Sequence, residues 1–104
     1  MTDSWDNIKL LDKELQSATE LWGEEWLRNM AMEELAELIQ ALVHLYRGRC
    51  TVDKVADEMA DVLIILRQLS LLVGHSKLEE AIKNKGAKFL GKLITQQGNY
   101  GDEE

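Results

Sequence analysis

The sequence predicts an all-α domain on three observations. The 104 residues contain no proline. A chain of strands and turns of this length would use several prolines, whereas long helices have no place for them. Apolar residues recur at the three- and four-residue spacing of a helix face along most of the chain. Gly23, Gly48 and Gly74 stand where those stretches end, and glycine commonly closes a helix.

Four helical segments are expected, in order. The first runs from Asp3 or Ser4 to residue 22. Ser4 can cap it, and Ile8, Leu11, Leu15, Ala18, Leu21 and Trp22 recur at helical spacing. The second covers 24–47, with Gly48 placed to terminate it. The third follows Thr51, a good N-cap, and runs to 73. The fourth opens with Ser76-Lys77-Leu78-Glu79 in capping-box order and continues to 94. Residues 1–94 therefore read as one domain and 95–104 as a polar, acidic tail that frays. No linker, low-complexity tract or solenoid repeat interrupts the chain.

Twelve basic against nineteen acidic residues give a net charge of −7. That excludes a general binder of nucleic acid or anionic membrane. A phosphorylated small ligand stays open, because a metal ion can invert local charge. A hydrophobic share of 45% suits a folded domain. The longest apolar run, 62–66, falls far short of the roughly 20 residues of a membrane span. Residues 1–6 are polar and acidic, unlike a signal peptide. The single cysteine, Cys50, has no internal disulfide partner. Both features lead to the expectation of a cytoplasmic protein.

The carboxylates carry the functional information. On a wheel at about 100° per residue, Leu27, Met30, Leu38, Ala41 and Leu45 fall within about 40° of Glu34. Glu34 thus lies inside the apolar stripe of the second segment, with Glu37 at its margin and Glu33 further round. Val55, Val62, Ile65 and Leu69 fall within about 60° of Glu58, and Asp61 lies about 60° to one side. The two helices repeat one arrangement: an acid in the core-facing stripe, and a second acid three residues later on its flank. Neither stripe offers a basic neighbour on this reading. Acids are rarely buried unless paired or bound to metal. They must hold protons, with raised pKa values, or share a hard divalent cation. Oxygen ligands select Mg²⁺, Mn²⁺ or Ca²⁺ over zinc. A solvated acidic face would not place Glu34 and Glu58 inside apolar stripes.

Glu33-Glu34-Leu35-Ala36-Glu37 reads as EExxE and Glu58-Met59-Ala60-Asp61 as ExxD, on successive helices. The pattern resembles the MazG-like, all-α nucleoside triphosphate pyrophosphohydrolases over about 21–92, a group that includes phosphoribosyl-ATP pyrophosphatases and dimeric dUTPases. The resemblance implies a four-helix, MazG-like bundle completed by oligomerisation. It implies hydrolysis of an NTP or dNTP to the monophosphate and pyrophosphate. It also implies that Glu34, Glu37, Glu58 and Asp61 are the Mg²⁺ ligands, with Mn²⁺ as a substitute, and that Glu33 is a further acid of the site. Glu37 or Glu33 is then the candidate to accept a proton from the attacking water.

The fourth segment places Lys85, Lys88 and Lys92 on one face. Many members of the family carry KxxKNxxR after the ExxD helix. Here Phe89 replaces the asparagine and Lys92 the arginine, so a point charge replaces a bidentate fork. These lysines are the candidate phosphate-binding residues. Gly86 to Lys92 imitates a P-loop, but Leu93 stands where Ser or Thr should be and no strand precedes it. Trp22 and Trp26 flank the turn before the EExxE helix, where an indole can stack on a base. In the family resembled, the N-terminal helix and this turn help hold the base. Trp22 is the first choice for base binding, followed by Trp26, Asn7 and Lys9. His44 falls near the side of Glu37 without being an expected ligand, and His75 falls in a turn.

The remaining faces are apolar as well: Met32, Ala36, Ile39 and Val43 on the second segment, and Ala56, Ala60, Leu63, Ile64 and Leu71 on the third, with Arg67 the one charge there. Helices apolar all round are buried all round, so a homodimer or homotetramer is expected. Two alternatives differ in class. A ferritin-type di-iron bundle needs Glu-x-x-His pairs, but Gln40 follows Glu37 and Asp61 follows Glu58 at that spacing. A non-catalytic helical oligomeric interaction module would keep its acids outside the apolar stripes, and it fits this sequence only if the metal site is degenerate.

Overall fold

A computed structural model describes residues 4–102, with side-chain surroundings for 5–96. Every regular element among the described residues is an α-helix: α1 (Ser4–Lys9), α2 (Asp12–Trp22), α3 (Glu24–Tyr46), α4 (Val52–Val73) and α5 (His75–Asp102). The all-α expectation holds, but with five helices in place of four. The first expected segment is broken at Leu10–Leu11, where Leu11 N donates to Ile8 O at 2.9 Å. No glycine or proline marks the break, and no side chain caps Leu11. Lys9 closes α1, whereas Asp12 and Glu14 open α2, each charge matched to its helix end. A start at Asp3 lies outside the described residues.

The ends of α3 and α4 follow the sequence closely. Gly48 adopts φ 70°. Its N–H bonds Leu45 O at 3.0 Å, and Arg49 N–H bonds His44 O at 2.7 Å. These are the paired bonds of a Schellman cap, which requires a left-handed residue at this point. Thr51 caps α4, its Oγ1 accepting from Lys54 N at 3.2 Å.

The opening of α5 differs from expectation. Gly74 turns the chain at φ 112°, so His75 is already helical. Lys77 N and Leu78 N then bond Gly74 O at 3.1 and 3.2 Å. Ser76 sits inside the first turn and forms no capping box. At its other end α5 passes residue 94 and stays helical to Asp102. No proline stops the hydrogen-bond ladder there. Residues 103–104 lie outside the described residues.

The chain divides into two units, Met1–Leu72 and Val73–Glu104. The core of the first lies between α3 and α4. Leu27, Ala31 and Ile65 form its centre, with Trp26, Met30 and Leu69 packed around them. Leu27 is fully buried, and truncating such a leucine costs about 2–5 kcal/mol. By contrast, α2 buries no residue. It packs against α3, and polar contacts tie it to α4: Arg67 donates to both carboxylate oxygens of Asp12, at 2.9 and 2.7 Å, and its guanidinium lies 5.3 Å from the Trp5 ring centroid. Gln68 Nε2 donates to Leu15 O and Thr19 Oγ1. In the second unit, the helical period puts Ile82, Phe89 and Leu93 on one side of α5, with Lys85, Lys88 and Lys92 along its flank. No single helix among the described residues is long and apolar enough to cross a membrane.

Candidate metal centre

Glu34 and Glu37 come from α3 and Glu58 from α4. Each faces inward because its helix buries the neighbouring stripe: Leu27, Ala31 and Ala41 on α3; Val55, Val62 and Ile65 on α4. One carboxylate oxygen from each of the three lies within 4.8 Å of the others. Glu58 is only 7% exposed. Glu34 Oε2 and Glu58 Oε2 are buried with no hydrogen-bond partner. A buried polar atom left unpaired costs about 1–3 kcal/mol, and more when charged. Loss of hydration raises the pKa of Glu34 first, followed by the negative charges of Glu37, Asp61, Glu58 and Glu33.

The other proposed acids stand further out. Asp61 and Glu33 are exposed and do not belong to the group of converging oxygens. Both still act on Glu34 through their charge.

One basic residue escaped the sequence reading, which found no cation near the stripes. Lys54 Nζ lies 2.8 Å from Glu58 Oε1. The hydrogen bond to Glu58 is the main cause of the raised Lys54 pKa, followed by the charge of Glu58. Its signal was the four-residue spacing from Lys54 to Glu58, one helical turn. Lys54 offsets only part of the charge of the trio when it is ionised, and a divalent cation would offset more. The donor set is all carboxylate oxygen, suited to Mg²⁺ or Mn²⁺.

A cleft of about 310 Å³ adjoins the trio, lined by Glu37, Gln40, Ala41, His44, Cys50, Lys54 and Glu58. His44 thus lies on the Glu37 side, as its spacing suggested. Cys50 turns its thiol to Ala41 O at 3.3 Å, a contact that its loop position did not reveal.

The proposed base-binding residues are spread over three helices. Asn7 is on α1 and exposed. Trp22 ends α2 at 56% exposed. Trp26, on α3, packs against the core. The two indoles pack at 4.7 Å between centroids, tilted by 52°. Lys85, Lys88 and Lys92 are exposed on α5, in the second unit. His75 is in the first turn of α5, 3.7 Å from Glu79. No family model, curated protein or solved structure matches this chain.

Proposed function

We propose that the protein is a Mg²⁺-dependent nucleotide pyrophosphohydrolase, cleaving an NTP or dNTP to the monophosphate and pyrophosphate. The observation that carries this reading is the convergence of Glu34, Glu37 and Glu58 with two buried, unpartnered oxygens among them. The cost of assembling such a group falls when a divalent cation neutralises it. The EExxE and ExxD pattern supports the reaction class, and the all-carboxylate donor set supports the ion.

In this mechanism Glu34, Glu37 and Glu58 hold the ion, and Asp61 completes the acidic set from one turn further along α4. When bound, Mg²⁺ screens the triphosphate and lowers the pKa of a coordinated water. Whichever of Glu37 and Glu33 the ion leaves free would accept a proton from the attacking water. The open cleft beside Glu37 and Glu58 gives the phosphates access to the carboxylates. The family resemblance assigns phosphate binding to Lys85, Lys88 and Lys92 of the second unit, as point charges. Trp22, exposed and braced by Trp26, offers a face for a base, with Asn7 as a polar contact.

A homo-oligomer is part of the proposal. Met32, Ile39 and Val43 are exposed on α3, and large apolar side chains along one helix face favour a subunit contact. The test of function is a pyrophosphate-release screen across all NTPs and dNTPs with Mg²⁺ and Mn²⁺. Monophosphate plus intact pyrophosphate supports the assignment. Nucleoside diphosphate plus orthophosphate overturns it.

A further inference from the structure

We propose that Lys54 is a built-in counter-cation of this metal centre: its ammonium occupies Glu58 Oε1 when no divalent ion is bound, and yields that oxygen when one arrives. The inference rests on the metal-centre reading above and adds a positioning residue that sets how much ion the site requires.

Both helix-stability rules disfavour the placement of Lys54. It lies in the first turn of α4, three residues after the Thr51 cap, where the helix dipole repels a cation. A lysine four residues ahead of a glutamate is also the weaker order for a helical ion pair. Helix stability therefore does not explain a 2.8 Å contact. Charge compensation does, because Glu58 is the most buried of the three converging carboxylates.

The two partners differ in freedom. The Lys54 side chain is 57% exposed, against 9% for Glu58. Lysine can carry its head into water on a flexible stem, while Glu58 is fixed in the apolar stripe of α4. Lys54 also lines the cleft beside Glu37, Gln40 and His44, which leaves the ammonium room to withdraw. Of the two Glu58 oxygens, among the described residues Oε2 has no hydrogen-bond partner and Oε1 pairs with Lys54. An ion that takes both must displace the lysine.

Mn²⁺ alone, without nucleotide, tests the exchange. Free Mn²⁺ is followed by its electron paramagnetic resonance signal during titration of wild type, Lys54→Met, Lys54→Gln and Lys54→Arg. Circular dichroism checks the fold of each variant. Removing the competing charge should tighten the Mn²⁺ dissociation constant by about three- to tenfold in both neutral variants, given a half-exposed pair. Lys54→Arg keeps the charge and should bind like wild type. A lysine that only supported the fold would leave affinity unchanged or weaken it. If wild type binds Mn²⁺ and both neutral variants bind it no more tightly, the exchange is overturned and the metal centre stands. If wild type binds no Mn²⁺, the metal centre itself falls.

Discussion

Replacing Glu58 with glutamine should make the protein more stable without metal and less stable with it. Glu58 contributes one of three carboxylate oxygens that lie within 4.8 Å of each other. Two like charges at that distance repel by about 1 kcal/mol in full hydration, and by three to four times as much at an effective dielectric of about 20. Glutamine removes its share of that repulsion and brings an amide donor next to Glu34 and Glu37. The loss is the Lys54 contact, a solvent-screened pair one turn apart that counts for little beside the repulsion. The balance favours the variant by about 1 kcal/mol, which raises Tm by about 4–8 °C in a domain of this size. Metal reverses the order. Wild type gains about 2.7 kcal/mol at an ion concentration one hundred times its Kd, and Glu58→Gln should lose most of that gain. Thermal melts followed by circular dichroism, with and without Mn²⁺, should therefore cross. The helical signal at 20 °C should be the same in both proteins. A wild-type Tm unmoved by Mn²⁺, or a variant that melts lower without metal, would refute the reasoning.

Three further outcomes are expected. The pKa of Glu34 is raised above its ordinary value of 4.5 by lost hydration and by its acidic neighbours, so the folded state holds that proton more tightly than the unfolded chain. Its stabilising contribution is therefore complete below about pH 4.5 and fades as pH rises through the raised value; metal-free melts across this range should slope downward, and Glu34→Gln should flatten them. Val43→Glu puts a charge on the exposed apolar face of α3; light scattering should show the oligomer dissociating, and a monomeric wild type at micromolar concentration would defeat the proposal. Lys85→Ala removes one point charge from exposed α5; KM should rise more than kcat falls, and equal losses in kcat and kcat/KM would argue against a ground-state phosphate contact.

The parts of the fold that local chemistry governs were legible in the sequence. Gly48 and Thr51 bound the loop between α3 and α4 because a left-handed cap and a hydroxyl cap are each short-range devices. Glu34 and Glu58 were visible as acids in apolar stripes because helical period alone decides which residues share a face. The break at Leu10–Leu11 was hidden, since apolar spacing runs through it and only the charges of Lys9 and Asp12 announce it. Ser76 offered a good capping pattern, but Gly74 had already turned the chain two residues earlier. Lys54 was overlooked because a wheel ranks residues by hydrophobicity and hides a flexible cation that reaches back to the stripe. The approach of Cys50 to Ala41 joins residues nine apart across a turn, which no periodicity encodes.

The way α2 is attached to the rest of the first unit has a dynamic consequence. With no fully buried residue of its own, α2 is held by its half-buried packing on α3, including Trp22 against Trp26, by the Asp12 carboxylate gripped by Arg67 and by the Gln68 amide shared between Leu15 and Thr19. The Arg67–Asp12 ion pair weakens with ionic strength far more than apolar packing does. Amide protons of α2 should therefore exchange with deuterium before those around Leu27 and Ile65, by sub-global opening that spares the α3–α4 pair. Salt should speed that exchange selectively. Each opening would strand the Arg67 guanidinium beside Trp5, so indole fluorescence should report the same event in real time.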